Sequence, residues 1–410
     1  MLTSSSLSKT SVLRLSTYIH RQLNRPYFAS TQTVLGIETS CDDTGCAIVD
    51  SNAKVLSETL FSQNIVHLRY GGVNPTVARD LHRDNIELAV STAIQNSKIE
   101  VQNVNAVAVT VKPGLLASLQ IGVKYGMFLA KKYNKVLIPI HHMEAHALVA
   151  RMFHTINFPF IALLISGGHC LLCLVRDVND FILLGETLDN APGEILDKMA
   201  RRLKLRNIPD YSKFPGGRAI ELAAGSANKL DYFHFPVPMA RVRDCNFSFS
   251  GLKNAFDKHL AAKEFNHGIL GDEIIPEVNE LCASFQMAIV QHIIQRTERA
   301  IKFCELNNFI TSDNKTIVVS GGVACNNFIF KHLQLLGNDF GFNVVRPPPK
   351  VCTDNGVMIA WNGIEKMKKK LSFKKVTLND VDPAAALGVN ISKRVAAAGI
   401  QVKLRKIKHL

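Results

Sequence analysis

Two histidines four residues apart are the strongest chemical feature of this sequence. His142 and His146 lie in the segment HHMEAH, directly after the apolar run VLIPI. Positions i and i+4 share one face of a helix, so both imidazoles can bind one metal ion. Glu144 lies about 200° around such a helix from His142, where it is poorly placed to act as the base of a metalloprotease. Two structural histidines are the alternative interpretation.

A carboxylate that could complete this site lies near the other end of the chain. Asp354 follows the Pro-rich segment RPPPKVCT and precedes a predicted helix. A carboxylate in that position most often caps the helix, which is the simpler interpretation. Beside the two histidines it would instead form a His-His-Asp site. Such nitrogen and oxygen ligands suit Zn or Fe, and the sequence does not distinguish the two metals.

Three glycine turns are candidates for binding phosphate. They are the SGG of residues 166–168, the PGG of 215–217 and the SGG of 320–322. Glycine allows a ligand to approach the backbone closely, and successive N–H groups at a helix start attract anions. One such turn is weak evidence. Two SGG turns at corresponding places, each after an apolar strand, are a stronger indication.

The elements that must position these groups form an internal repeat. Residues 33–60 and 160–188 both show an apolar strand, a polar turn, a second strand, a short loop and a third strand. Alternating helices and strands follow each copy. This pattern predicts an α/β protein with two duplicated lobes, residues 33–155 and 156–370, and a cleft between them. An insertion is expected at about 207–275. The arrangement resembles the actin-like superfamily (ASKHA, RNase H-like).

The two ends of the chain differ in charge from its middle. No acidic residue precedes Glu38, and the leader is rich in Ser and Arg, which is typical of a mitochondrial transit peptide over residues 1–30. An untargeted tail is the alternative. Residues 364–410 carry twelve Lys and Arg against three acids. This excess favours a polyanionic partner such as RNA, or is simply a solvated helix end. We expect residues 371–410 to be a basic extension that packs back on the protein.

Bulk composition excludes two further classes of protein. No apolar run approaches the roughly 18 residues that span a bilayer, so stable membrane insertion is not expected. Nine cysteines, an odd number in a long chain, do not fit a secreted disulfide framework. Cys170 and Cys173 form a C-x-x-C within a predicted strand, where positions i and i+3 point to opposite faces. We interpret the cysteines as buried thiols.

Several motifs together resemble the transfer RNA threonylcarbamoyl transferase family, formerly called O-sialoglycoprotein endopeptidases. They occur in the family's order from about residue 34 to the C-terminus: LGIETSCDDT, HHMEAH, SGGH, ETLDNAPGEILDKMAR, FSFSGLK, VVSGGVACN and CTDNGVMIA. The leader, Lys112, Asn190 and the closing PAAALGVNISK are most similar to the mitochondrial branch. Lys112, Asn190 and Thr76 also depart from residues that many relatives have, as does a longer spacing between Asp197 and Gly217.

The resemblance implies a metal site and a substrate site. One divalent metal ion per subunit, Zn or Fe, would be bound by His142, His146 and Asp354. The remaining implied residues contact the substrate: Leu164, Ile165, Ser166, Gly167 and Gly168 line it, and Asp197, Gly217, Glu221 and Asn326 hold its adenylate part.

The resemblance also implies a reaction and a setting. The threonylcarbamoyl group of threonylcarbamoyl-AMP, made by a separate synthase, would be transferred to N6 of adenosine 37 in mitochondrial tRNAs that read codons beginning with A. AMP would leave, and the enzyme would act in the mitochondrial matrix as a homodimer. A metalloprotease, the old label of the family, is disfavoured by the position of Glu144. An ATP-dependent small-molecule kinase of the actin-like superfamily is disfavoured because Mg²⁺ prefers oxygen ligands to histidine.

Overall fold

Two mixed sheets form the centres of two lobes in a computed structural model that describes residues 31–70 and 72–407. The expected transit peptide, residues 1–30, lies outside the described residues. The first half contains β1 (Thr33–Glu38), β2 (Asp43–Asp50), β3 (Val55–Ser62), α1 (Asn64–Tyr70), α2 (Pro75–Ser97), β4 (Ala106–Lys112), α3 (Leu116–Lys132), β5 (Val136–His141), α4 (His142–Leu148) and α5 (Ala150–Phe153).

The second half repeats this order of elements and adds to it. It contains β6 (Phe160–Ile165), β7 (Cys170–Asp177), β8 (Asp180–Glu186), α6 (Pro192–Arg202), α7 (Gly216–Gly225), α8 (Ser250–His267), α9 (Val278–Leu306), β9 (Thr316–Ser320), α10 (Asn327–Phe340), β10 (Asn343–Val345), α11 (Pro349–Cys352) and α12 (Gly356–Lys368). After these come β11 (Val389–Asn390) and α13 (Ser392–Ala397). Short 3₁₀ turns connect several of these elements.

The strand order confirms the predicted duplication. The first sheet runs β3-β2-β1-β4-β5, and the second runs β8-β7-β6-β9-β10 with β11 added beside β8. In both sheets the first strand pairs antiparallel with the second and parallel with the fourth. Parallel strands end at the same edge of a sheet, so the turns that follow β1 and β4, and those that follow β6 and β9, meet in pairs.

Helix α4 of the first half and helix α12 of the second half each pack against the sheet of the other half. Met143 and Leu148 of α4 lie in one hydrophobic cluster with Leu164 of β6. Conversely, α12 contributes Trp361 to the cluster that contains Val34 of β1. Residues 354–370 were expected in the second lobe. This boundary is corrected, because α12 packs on the first sheet although it lies in the second half of the sequence.

The contact between α12 and the first sheet is unusually close. A Cβ atom on Gly36 of β1 would lie 2.3 Å from the backbone nitrogen of Ala360, so only glycine fits there. Eleven consecutive residues, Gly356–Lys366, are buried in this helix of thirteen. A helix buried on all sides must lie between packed layers, here between the first sheet and α4.

The insertion at about 207–275 is more regular than its sequence indicates. It contains α7 and α8, and Phe247, Phe249 and Phe256 are fully buried in the largest hydrophobic cluster of the second lobe. The guanidinium of Arg296 is also fully buried and donates to the carbonyl groups of Val242 and Asp244. The insertion is therefore part of the second core.

Residues 371–407 run across both lobes. Gly114 N–H donates to the carbonyl of Pro383, and Arg405 forms an ion pair of 2.6 Å with Glu298. β11 pairs in parallel with β8. Two lysines of the preceding basic run also have intramolecular partners, since Lys366 pairs with Glu144 at 3.0 Å and Lys369 with Asp177 at 2.7 Å.

The cysteines and the helices agree with the bulk composition. All nine cysteines are free thiols. Cys170 and Cys173 lie in different hydrophobic clusters on the two faces of the second sheet, as their spacing predicts. Within residues 31–70 and 72–407, no helix combines the length and the apolar character needed to cross a membrane.

Candidate metal centre and adjoining glycine turns

Three predicted metal ligands converge where the two crossed helices begin. His142 and His146 lie on α4, and Asp354 lies just before α12. One donor atom from each lies within 4.8 Å of the others. The Asp354 Oδ1 atom is 3.0 Å from Nε2 of His146 and 3.5 Å from Nε2 of His142. Ligands of one tetrahedral ion with bonds of about 2.0 Å are about 3.3 Å apart. The geometry therefore fits one metal ion.

Asp354 does not cap α12, so the simpler interpretation of this residue is wrong. The cap is the next residue, Asn355, whose side chain accepts from the N–H of Met358 at 2.8 Å. The Asp354 carboxylate is left facing the two imidazoles. Asn355 thus satisfies the helix terminus and leaves its neighbour available as a ligand.

The charge around the three ligands also favours a cation. Asp42 and Asp43, in the turn between β1 and β2, lie near Asp354. Burial, and then the charge of Asp354, raise the pKa of Asp43 to about 7. The same two causes raise the pKa of Asp42. A divalent ion among these carboxylates would relieve their mutual repulsion.

Glu38, which the sequence did not single out, orients the first histidine. Its fully buried carboxylate accepts from the Ser40 N–H at 2.5 Å and lies 3.4 Å from Nδ1 of His142. The Thr110 hydroxyl donates to its other oxygen. Burial alone would raise the pKa of Glu38, but His142 and these hydrogen bonds hold it below its usual value. A carboxylate on the far nitrogen of a metal-binding histidine fixes the ring and makes it a better ligand.

The first SGG turn lies beside the metal ligands. The Ser166 hydroxyl oxygen accepts from the N–H groups of Gly168 and His169, at 3.3 and 3.1 Å. The His169 ring centroid is 6.3 Å from that of His142. Burial, followed by the charge of His142, lowers the pKa of His169 to about 4, so its ring is neutral at pH 7. This histidine was visible in the SGGH motif but was not among the predicted site residues.

Two of the predicted substrate residues differ from their neighbours in exposure. Gly167 and Gly168 are exposed in the cleft, whereas the side chains of Leu164 and Ile165 are fully buried in β6. Leu164 and Ile165 can therefore offer a ligand only backbone atoms.

The second SGG turn touches the first. β9 pairs in parallel with β6, with Leu164 opposite Ser320. Gly321 has a φ of +100°, and a Cβ atom there would lie 2.3 Å from the carbonyl oxygen of Ile165. Both facts require glycine. Gly322 faces the side chain of Thr353, the residue before the Asp354 ligand. The two turns and the metal ligands thus form one continuous surface.

Asp197 and Gly217 lie next to this surface and to each other. The Asp197 Oδ1 atom accepts from the Gly217 N–H at 2.9 Å. Asp197 is exposed to the cleft, yet enough protein surrounds it to raise its pKa. Gly193, one turn earlier on α6, packs against the Ser166 carbonyl. Lys198, the next residue, forms its ion pair with Glu194 at 2.6 Å.

Glu221 and Asn326 are close in space, but they face different environments. The Glu221 carboxylate accepts from the Asn327 N–H at 2.7 Å. It lines a pocket of ≈ 580 Å³ between α7 and α10. Asn326 is buried, where its amide donates to Gln286 at 2.7 Å and its oxygen caps α10. The Glu221 carboxylate also pairs with Arg218 at 2.6 Å, so both side chains already have partners within the protein, and of the two only Glu221 lines the pocket.

The motif that contains Asp189 and the motif that contains Phe249 are hydrogen bonded to each other. Asp189 accepts from the Ser248 hydroxyl at 2.6 Å and from the Phe249 N–H at 2.8 Å. The Asn190 side chain donates to Glu194 and accepts from the Ser250 hydroxyl. An aspartate at position 190 could not donate to Glu194. This explains how the chain accommodates asparagine where many relatives have aspartate.

The duplicated sheets, the crossed helices and the inter-lobe cleft define a protein of the actin-like (ASKHA) class with a candidate metal site. Residues 54–361 match the TsaD family model, described as tRNA N6-adenosine threonylcarbamoyltransferase. The chain belongs to this family.

Two relatives and one solved structure illustrate the relationship. The mitochondrial tRNA N6-adenosine threonylcarbamoyltransferase of Xenopus tropicalis is 46% identical over 408 residues, covering 98% of each chain. The Homo sapiens protein of the same name is 45% identical over 382 residues, covering 92% of this chain and 91% of its own. The crystal structure of T. kodakarensis HypF shares the fold at 14% identity, with a TM-score of 0.52 over 86% of this chain and 49% of that protein.

Proposed function

We propose that this protein transfers the threonylcarbamoyl group of threonylcarbamoyl-AMP to N6 of adenosine 37 in mitochondrial tRNAs that read codons beginning with A. The observation that carries the proposal is the contact between the His142–His146–Asp354 site and the two SGG turns. The candidate metal ligands and the exposed backbone of Gly167 and Gly168 lie side by side, which suits an acyl phosphate substrate. The relatives' names support the choice of reaction.

The site residues have separate roles in this reaction. A Zn or Fe ion, one per subunit, supplies a Lewis acid for the oxygens of the mixed anhydride when bound by the triad. The exposed backbone of Gly167 and Gly168 faces its anionic oxygens, and the Gly167 N–H binds one of them, since the Gly168 N–H donates to the Ser166 hydroxyl. Asp197 and Glu221 accept hydrogen bonds from the adenylate, and the Gly217 N–H fixes the Asp197 carboxylate.

Positioning carries most of the rate, because the exocyclic amine of adenine is a poor nucleophile. The bond from N6 to the carbamoyl carbon forms, the bond from that carbon to the phosphate oxygen breaks, and AMP leaves. The amine proton passes to the departing phosphate or to water, and the phosphate oxygen keeps the electron pair of the broken bond. The neutral ring of His169 lies beside the triad and adds no positive charge that would oppose the metal.

The setting follows from the same proposal. The protein acts in the mitochondrial matrix as a homodimer, on a donor made by a separate synthase. The relatives named mitochondrial and the acid-free leader support this location.

A metalloprotease is disfavoured by one contact. Glu144 forms an ion pair of 3.0 Å with Lys366, on the side of α4 away from the histidine ligands. It is therefore engaged elsewhere and is not positioned to activate a metal-bound water.

The test is a reconstituted transfer reaction. The full chain, threonylcarbamoyl-AMP and unmodified mitochondrial tRNA are incubated, and modified nucleosides are measured by mass spectrometry. We expect formation of N6-threonylcarbamoyladenosine and stoichiometric AMP. The site variant is His146→Ala. Its matched control is His154→Ala, because His154 is an exposed histidine outside the site. Absence of product with the wild-type chain at full metal content contradicts the proposal.

A further inference from the structure

A small basic pocket connects the two lobes next to the candidate site. It has a volume of ≈ 340 Å³ and is lined by α1 of the first lobe and by residues 206–215 of the second. We call it the inter-lobe pocket. Three of its eight lining residues are cationic, namely Arg69, Arg206 and Lys213, and its described lining contains no acidic residue.

Both walls of the inter-lobe pocket lead directly to residues of the candidate site. Pro215 in one wall is followed by Gly216 and Gly217, whose N–H binds Asp197. The other wall begins just after Gln63, whose N–H donates to the Asp42 carbonyl at 3.0 Å. The charges of Arg206 and Asp42 both act on the pKa of Asp197, in opposite directions. The pocket therefore lies where the Asp42 turn and the Asp197 carboxylate face each other.

The side chains in the pocket suit a flexible polyanion with exposed rings. Arg69 and Lys213 are exposed, and neither forms an ion pair within the described part of the chain. Phe214 and Ile65 are 42% and 74% exposed between these cations. Cations bind phosphates of any sequence, and an exposed aromatic ring provides a face for stacking an unpaired base. A folded protein partner would instead require a wider apolar face.

We propose that the inter-lobe pocket binds single-stranded RNA on the side of the acceptor adenosine, with Arg69 and Lys213 on phosphates and Phe214 against a base. This inference rests on the proposed function, because it names the part of that site which holds the RNA substrate. Since the cations come from both lobes, bound RNA also bridges the cleft. The acceptor strand then approaches the site on the side of Asp197.

The first experiment removes the two cations. The full-length double variant Arg69→Gln/Lys213→Gln is compared with Lys124→Gln/Lys131→Gln, which removes two exposed charges from α3. The probe is an anticodon stem-loop RNA, titrated at several salt concentrations. We expect the pocket variant to raise the Kd roughly tenfold and to reduce the salt slope by about 2. The α3 variant should change neither quantity. Equal effects of both variants would show only general electrostatic attraction and would overturn the pocket.

The second experiment tests the aromatic contact. Phe214→Ala is compared with Phe265→Ala, which removes a ring that is 87% exposed elsewhere in the second lobe. Loss of one stacked base should weaken binding of the RNA about tenfold while leaving the salt slope unchanged. An unchanged Kd for Phe214→Ala would overturn the stacking contact.

Failure of this inference can be separated from failure of the proposed function. AMP binding is measured for every variant, and transfer activity is measured for the wild type. If the wild type transfers the group and the pocket variants bind RNA normally, the function stands and the pocket is wrong. If the variants lose AMP binding but not RNA binding, the pocket belongs to the donor instead. If the wild type binds RNA through the pocket but does not transfer the group, the proposed function is wrong and the pocket stands.

Discussion

The first turns of the two lobes occupy equivalent places and carry opposite chemistry. After β1 the chain reads Ser40-Cys-Asp-Asp, and after β6 it reads Ser166-Gly-Gly-His. Both turns connect an antiparallel pair at the centre of a sheet with the same strand order. The first turn concentrates carboxylates near Asp354, and the second exposes the backbone of Gly167 and Gly168. Duplication thus supplied one scaffold, and the side chains of each turn specialised it for a cation or for an anion.

The ionisation of the two turns shows the same contrast. Burial and neighbouring carboxylates raise the pKa of Asp43 to about 7, while burial lowers the pKa of His169 to about 4. The first turn thus concentrates carboxylates whose negative charge a cation would stabilise. The second stays neutral, so it adds no positive charge that would repel a cation at the adjoining candidate ligands.

The largest effect should come from removing a metal ligand. His146→Ala should abolish metal binding and lower transfer roughly 1,000-fold, because the Lewis acid contributes several kcal/mol. Metal content and turnover are measured together, with His154→Ala as control. AMP binding at the second lobe should persist. If this variant lost AMP binding as well as metal binding, the metal site and the second-lobe turn would not act separately.

The next effect concerns the support of the first histidine. Glu38→Gln keeps the shape of the side chain but removes the charge that faces His142. We expect metal affinity to fall about 10- to 100-fold. Competition with a chelator measures this change, and Glu100→Gln, at an exposed position, is the control. Unchanged affinity would mean that other contacts, such as the Ser40 hydroxyl 3.2 Å from Nδ1 of His142, suffice to fix the ring.

On the anion side, the corresponding change is Gly321→Ala. The added methyl group would collide with the Ile165 carbonyl and displace the two SGG turns from each other. We expect the KM for the adenylate donor to rise roughly tenfold with metal content unchanged. Gly251→Ala, where a Cβ atom meets no neighbour within 4 Å, controls for the substitution itself. A loss of metal in Gly321→Ala would contradict the division between the turns.

A smaller effect concerns the acid stability of the second lobe. His292 in the second lobe accepts from the Ser248 N–H at 3.2 Å, and burial lowers its pKa to about 3. Unfolded, it binds a proton below about pH 6.5, so its contribution to stability is complete above that pH and is lost as the pH falls toward 3. His292→Gln should reduce the slope of unfolding free energy against pH by about 1 kcal/mol per unit. The slope is measured by urea unfolding between pH 4 and 6.5, and an unchanged slope would indicate that another group titrates.

The smallest effect is expected from the basic C-terminal run. Lys366 is only 9% exposed and pairs with Glu144, so it is not available to RNA. Lys374 and Lys375 are exposed. Their replacement by Gln should raise the KM for tRNA at most a few-fold, with a shallower salt slope. A slope identical to that of the wild type would leave these lysines as solvated charge.

The sequence predicted the sheets well because a duplicated pattern of strands constrains topology twice. It did not predict that α12 crosses to the first lobe. The sequence of an apolar helix does not indicate which sheet the helix packs against. That packing depends on residues far along the chain, such as Gly36, which leaves room for α12. The spacing of His142 and His146 indicated two candidate ligands, which the fold brings together with Asp354. Glu38 was missed, because a lone acid at the end of a strand has no spacing that reveals its partner.

The packing of α12 on the first sheet affects the order in which parts of the protein can fold during synthesis or import. His146 and Asp354 are 208 positions apart, so a chain made or imported from its N-terminus presents the histidines long before the carboxylate. Until residues 356–368 emerge, the face of the first sheet that contains Val34 and Ala47 lacks its cover. The half-made protein therefore exposes an apolar sheet face. The candidate metal site can be complete only in a chain whose second half has folded back onto its first.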